Sequence, residues 1–79
     1  MDEKMIRAYF AQKTLYYSAS KGEMLFVYSM NPRYAGNAAA KLLREADLWA
    51  KDAGVDVRHP ALWMTATPLF RALVEQAGQ

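Results

Sequence analysis

The sequence predicts an α/β domain in which a small mixed sheet packs against three helices. Two strand-like runs at residues 15–19 and 24–30 are joined by a turn signal, which is the pattern of a β-hairpin. A third such run at 55–58 follows a long amphipathic helix, and a strand–helix–strand unit of this length implies a right-handed parallel crossover. The 79 residues are expected to form one small domain, 1–79, with hairpin and crossover in the same sheet.

The first predicted elements are a short helix and the hairpin. In the helix, acids occupy the first turn and apolar side chains recur four residues apart in two pairs, Met5 with Tyr9 and Ile6 with Phe10. The hairpin pairs strand Leu15–Ala19 with strand Met24–Met30 across the turn residues 20–23. Because the second strand is apolar on both faces, we expect it to be central in the sheet and covered on both sides.

The stretch from Met24 to Gly54 is the most informative part of the chain. Asn31-Pro32 should end the second strand, and a turn of small residues up to Asn37 should lead into a helix from Ala38 to Ala53. That helix carries one apolar stripe, and Gly54 suits the left-handed position that follows a helix end.

Beyond Gly54, residues 55–58 alternate like a short strand, and 61–66 fit either a strand or a helical turn. Thr67-Pro68 is a good helix start, with threonine as the cap and proline in the first turn. The last helix should run to Ala77.

Composition limits the possible function classes. The absence of cysteine excludes disulfides, thiolate nucleophiles and cysteine-bound zinc, and the single histidine, His59, argues against a metal site. No apolar run approaches the roughly 20 residues of a membrane span, and the acidic start is unlike a signal peptide, so we expect a cytoplasmic protein without membrane contact. The net charge of +2 is dispersed and gives nucleic-acid binding no support. A chain of this size has a thin stability margin, so a homodimer is an expected option.

One part of the sequence resembles a known family. Residues Pro32–Leu43, the run Ala46–Ala50 and Gly54 look like the central motif of the GNAT superfamily of N-acetyltransferases, and Leu73–Gly78 resembles the end of its last core helix. In that family a strand-to-helix turn binds the pyrophosphate of acetyl-coenzyme A through backbone N–H groups.

The resemblance implies a GNAT-core-like fold and an acyl-coenzyme-A site. The cradle would be the backbone of Gly36, Asn37, Ala38 and Ala39, and Arg33 or Lys41 would supply the counter-charge.

The catalytic apparatus of that family is only partly matched, so its catalytic residues stay unknown here. The tyrosine that often protonates the departing thiolate falls on Val74, which has no proton to give. Glu23 lies where a base could act, and His59-Pro60 follows a predicted strand, but a solvated turn residue is the simpler interpretation of each. We therefore expect binding without full catalysis, or acetyl transfer only if a second subunit completes the site.

The alternative prediction is a non-enzymatic interaction protein. Small cysteine-free α/β domains with degenerate enzyme motifs resemble those carried by phages and mobile elements, some of which bind and inhibit host complexes, including anti-CRISPR proteins. The residues expected at a protein interface are large or cationic side chains near turns and helix surfaces: Tyr34, Arg44, Arg58 and Trp63.

Overall fold

The computed structural model describes residues 2–79, in which five α-helices pack around and beside one β-hairpin. The first helix, α1 (Glu3–Ala11), begins at Asp2, whose Oδ1 accepts the N–H of Met5 at 2.8 Å. Its buried face carries Ile6 and Phe10, which are together one of the two predicted pairs. The prediction of a short N-terminal helix is confirmed.

The hairpin is also confirmed, but its second strand is shorter and less covered than expected. Strands β1 (Leu15–Ser18) and β2 (Glu23–Phe26) pair antiparallel, with Tyr16 opposite Leu25. After Phe26 the chain leaves the sheet in a 3₁₀ turn, Val27–Ser29, which buries Val27. Within residues 2–79 no third strand joins the sheet, so the prediction of a central, doubly covered second strand was wrong.

The predicted long helix begins earlier than expected and is divided in two. Helix α2 (Pro32–Arg44) starts at Pro32 rather than Ala38, because the Asn31 side chain accepts the N–H of Arg33 at 2.8 Å and caps the helix. Helix α3 (Ala46–Asp52) follows after Glu45, which has non-helical backbone angles. The turn of small residues expected before Ala38 is therefore the first two turns of α2.

The C-terminal part contains two helices and no strand. Gly54 adopts the left-handed conformation predicted for it, with φ +69°. Residues 55–58 are irregular, so the parallel crossover was wrong; the nearest elements on either side are helices, which offer that segment no ladder. Helix α4 (Pro60–Ala66) resolves the ambiguous segment, and α5 (Pro68–Ala77) begins as predicted, with the Thr67 hydroxyl accepting the Phe70 N–H at 3.3 Å.

The core lies between α2 and α5, with α1, α4 and the inner face of the hairpin closing it. Small residues of α2 allow close packing, since Ala35, Ala38 and Ala39 are all buried. Against them pack the large buried side chains of the other helices: Phe10, Met64, Leu69 and Leu73. The hairpin is tied to this core by a 2.7 Å hydrogen bond between the hydroxyls of Ser18 and Tyr34. The molecule is thus an α/β domain whose sheet has only two strands.

In the part of the chain that the structure describes, no helix is both long and apolar enough to cross a bilayer.

Candidate functional site

The residues predicted to cradle a pyrophosphate lie inside a helix. Gly36 is the fifth residue of α2, so its backbone N–H and those that follow donate to carbonyls one turn earlier. Ala38 and Ala39 are buried, while Asn37 is exposed. The helix N-terminus that a phosphate could approach lies instead at Pro32, which has no N–H, and Arg33, whose N–H is bonded to Asn31. The geometry on which the cradle prediction rested is absent from this segment.

The residues predicted for a partner interface do not form one patch. Tyr34 and Arg44 lie near opposite ends of α2, about 15 Å apart along its axis. Tyr34 is half-buried and bonded to Ser18, and Trp63 is half-buried in α4 against Phe10, with ring centroids 5.6 Å apart. Neither aromatic residue is in the loop predicted for it. Arg58 is exposed in the segment before α4.

The remaining predicted residues also lie apart from one another. Arg33 is exposed in the first turn of α2, and Lys41 is half-buried further along the same helix. Glu23 is exposed at the start of β2, and His59 is exposed before α4, where its side chain makes no cap bond.

The outer edge of β1 is covered by the chain itself. The Gln12 side chain accepts the N–H of Leu15 at 2.8 Å and donates to its carbonyl at 2.7 Å. The next outward-facing N–H, that of Tyr17, donates to the Tyr9 hydroxyl at 2.9 Å. Side chains of α1 and the residue after it thus bond three of the four outward backbone groups of Leu15 and Tyr17 that a further strand would need.

The outer edge of β2 has no such cover. The Val27 N–H donates to the Thr14 carbonyl at 2.8 Å, which sets the alternation of the ladder. Leu25 therefore faces β1, whereas the N–H and C=O groups of Met24 and Phe26 point away from it. Among residues 2–79, neither of the two N–H groups nor the Met24 C=O has a hydrogen-bond partner in the hairpin or the loops, while the Phe26 C=O caps the start of the 3₁₀ turn. Uncovered strand edges bind other strands, and proteins ordinarily protect them.

The outward face of the hairpin carries large apolar side chains. Tyr17 and Met24 are each 48% exposed, Phe26 is 53% exposed and Tyr28 is 68% exposed. The rings of Phe26 and Tyr28 lie 5.5 Å apart, centroid to centroid. We call these four residues the hairpin patch. Isolated exposed apolar residues are ordinary, but a contiguous group of this kind marks an interaction surface.

A groove runs along the uncovered edge of β2. Its volume is about 360 Å³, and it lies between the strand and the start of α2, with Leu25, Met30 and Tyr34 among its lining residues. Lys21 also lines this edge groove, and its Nζ lies 5.0 Å from the centroid of the Tyr34 ring. The groove is mainly apolar, with Ser29 and Asn31 as polar lining residues and Lys21 as the cation in its lining.

A second cavity, the aromatic cleft, opens on the opposite side of the hairpin. It has a volume of about 270 Å³ and is lined mainly by apolar surface. Four aromatic side chains from α1, β1 and α3 line it: Tyr9, Tyr16, Tyr17 and Trp49. Two charged residues also line it, Lys41 of α2 and Glu45, which directly follows α2. The Trp49 indole N–H donates to Glu45 Oε1 at 3.2 Å.

Sequence reasoning missed both the uncovered edge and the hairpin patch. The alternation of Met24, Phe26 and Tyr28 on one face was visible, but it was interpreted as a buried face. The signal that could have corrected it is the absence of a convincing third strand, because a two-stranded sheet can bury only one face against the helices.

Within residues 2–79, no group of three or more His, Asp or Glu side chains is placed to hold a metal ion. No family model, curated protein or solved structure matches the chain. The resemblance to the GNAT superfamily therefore stays a prediction.

Proposed function

We propose that this protein is a non-enzymatic interaction domain that binds an extended segment of a partner protein along the uncovered edge of β2. The observation that carries the proposal is the difference between the two edges of one hairpin. Gln12 and Tyr9 bond to the edge of β1, while the outward N–H groups of Met24 and Phe26 have no hydrogen-bond partner among residues 2–79 and lie beside a mainly apolar groove. Strand addition to such an edge is a recurrent mode of peptide recognition.

The chemistry of the edge indicates what the bound segment should look like. Backbone groups of the segment would bond Met24 and Phe26, which fixes an extended conformation. Every second side chain would then enter the edge groove, whose lining favours slender apolar residues. Lys21 favours an acidic residue at the end nearest the turn. An inhibitor of a host complex, as the sequence suggested, would be one member of this class.

Proline at position 26 tests the proposal directly. The φ of Phe26 is −76°, which proline can adopt, and its N–H points away from β1, so the hairpin should survive while the edge loses a donor. Phe26→Thr is the matched control, because it removes the ring and keeps the N–H. The probe is a ten-residue peptide that alternates valine with threonine and ends in aspartate.

We expect the peptide to slow amide exchange at Met24 and Phe26 in the wild-type protein and in Phe26→Thr. The affinity for the peptide should fall at least tenfold in Phe26→Pro, because losing a hydrogen bond between neutral groups costs about 1.4 kcal/mol, which corresponds to that factor. Binding that persists unchanged in Phe26→Pro, or none at millimolar peptide, would exclude strand addition.

The acyl-coenzyme-A prediction has its own test. Calorimetric titration with acetyl-coenzyme A should give a binding free energy of about −8 kcal/mol if a micromolar site exists. Such binding would favour the family resemblance over the interaction domain, whereas the arrangement of α2 supports no binding at Gly36 to Ala39.

A further inference from the structure

We propose that the aromatic cleft binds a methylated ammonium group, with Tyr9, Tyr17 and Trp49 against its methyl groups and Glu45 as the counter-charge. The inference does not depend on strand capture, although Met24 lines both the edge groove and the aromatic cleft. Electron-rich ring faces attract a cation that is too large and too weakly hydrated to prefer water, and a quaternary ammonium is the usual ligand of such cages.

The first argument is the shape and lining of the cleft. Its volume of about 270 Å³ is near the lower end of the range for small-molecule pockets, so it suits a compact head group better than a large ligand. The Tyr9 and Trp49 rings lie 6.3 Å apart, centroid to centroid, and are inclined at 39°, so they pack beside one another and a ligand would lie against both rather than between them. Tyr17 supplies a third ring from β1.

The second argument is the polar groups that remain available there. Tyr16 is 5% exposed, yet its hydroxyl takes part in no hydrogen bond among residues 2–79 and is not sealed from the open space of the cleft. Glu45 accepts the Trp49 indole N–H through Oε1, which holds its carboxylate beside the rings. The cleft therefore presents oxygen acceptors to a ligand.

The third argument is the electrostatic environment. Burial, and then the neighbouring Tyr9, Tyr34 and Glu45, raise the pKa of the Tyr16 phenol to about 12. The negative charge of Glu45 thus acts on the Tyr16 phenol. Lys41 also lines the cleft, on a stem long enough to turn its amine towards water.

The decisive experiment compares a cation with its neutral isostere. Choline and 3,3-dimethylbutan-1-ol have the same shape around the branched head, so purely apolar binding would treat them alike. Each is titrated at fixed ionic strength while the indole N–H resonance of Trp49 is followed by NMR. We expect choline to bind at least about fivefold more tightly. Equal affinity for the two ligands would overturn the proposal. So would an unshifted Trp49 resonance at about 10 mM choline, a concentration that would reveal even a weak site.

Matched variants locate the effect. Glu45→Gln should weaken choline about threefold or more and leave the alcohol unchanged, while Asp47→Asn makes the same charge change outside the cleft and should change neither. Tyr17→Leu keeps an apolar side chain at a half-exposed position and should weaken choline only. Lys41→Met should strengthen choline binding. If Lys41→Met abolishes binding and Glu45→Gln strengthens it, the cleft selects anions and the proposal is wrong.

The same titration distinguishes the sources of the ligand. A short peptide that contains trimethyllysine is compared with free choline and with the unmethylated peptide. Tighter binding of the trimethyllysine peptide assigns the head group to a modified protein, and tighter binding of choline assigns it to a small molecule. Equal binding of the methylated and unmethylated peptides would contradict a methylammonium site.

Discussion

At the scale of single residues, Tyr16 shows how burial gives one side chain a measurable signature. Burial raises the pKa of this phenol from its ordinary value of 10.0 to about 12. Burial also raises the pKa of Tyr9, against a smaller opposing effect of its hydrogen bond with the Tyr17 backbone. Both groups resist ionisation as long as the chain is folded.

The pKa of Tyr16 predicts a loss of stability in alkali. The unfolded chain gives up this proton near pH 10, whereas the folded protein keeps it until about pH 12. The free energy of unfolding should therefore be undiminished below pH 10 and fall as the pH rises towards 12. Urea unfolding at pH 8, 10 and 11.5 measures it. Tyr16→Phe should reduce the decline and Tyr28→Phe, at an exposed position, should not; an identical decline in all three proteins would contradict the assignment.

Glycine at position 36 offers a second prediction at this scale. A methyl group there would meet only the Ala77 Cβ at 3.6 Å, an ordinary contact, and alanine is the better helix former. Gly36→Ala should raise the free energy of unfolding by about 0.5–1 kcal/mol. Gly54→Ala is the contrasting variant, since φ is +69° there and the change should cost about 1 kcal/mol or more. Destabilisation by Gly36→Ala, measured in urea, would place that residue outside a regular helix.

At the scale of elements, the three prolines show why some boundaries could be predicted and others could not. All three stand at the start of a helix: Pro32, Pro60 and Pro68. Thr67-Pro68 was interpreted as a capped start, but Asn31-Pro32, the same combination of cap and proline, was interpreted as the end of a strand. Both interpretations obey the backbone limits of proline. Only packing of the small residues after Pro32 against α5 decides between them.

The strand predicted at residues 55–58 was wrong for a different reason. The alternation of Val55 and Val57 with charged neighbours is typical of a strand, but a strand also needs a partner with uncovered backbone groups. Whether such a partner lies nearby depends on the three-dimensional fold, and the local sequence pattern does not show it. The break at Glu45 between α2 and α3 likewise could not be predicted, because no glycine or proline stands there.

The candidate site was predictable only in part. Lys41 and Tyr34 were named in advance, and they line the aromatic cleft and the edge groove respectively. Their roles depended on an expected turn that proved to be helix. The difference between the two edges of the hairpin could not be derived from pattern, because it depends on where Gln12 and Tyr9 place their polar atoms beside β1.

At the scale of the whole molecule, a small core leaves little reserve. The accessible surface is 5299 Å², against about 4800 Å² expected for a monomer of this mass. The hairpin patch contributes to the excess. Stability must therefore depend on a few fully buried side chains between α2 and α5.

Truncation in this core should be severe. Leu73→Ala removes a side chain with 0% exposure from α5, and we expect it to cost about 2–5 kcal/mol, a large share of the total for a domain of this size. Leu62→Ala makes the same chemical change at a position with 67% exposure and should cost less than about 0.5 kcal/mol. Urea unfolding with a common slope measures both. Similar losses in the two variants would contradict the packing of α5 on α2.

The uneven protection of the hairpin also bears on assembly size. A sheet grows without limit only if each added chain offers a fresh edge, and here one side is closed by Gln12 and the Tyr9 hydroxyl. Whatever strand pairs with β2, this chain ends the sheet on its own side. Two copies joined through β2 would close as a pair, and a foreign sheet that met β2 would be capped rather than extended. Filaments that grow by repeated pairing of this hairpin are therefore unfavoured.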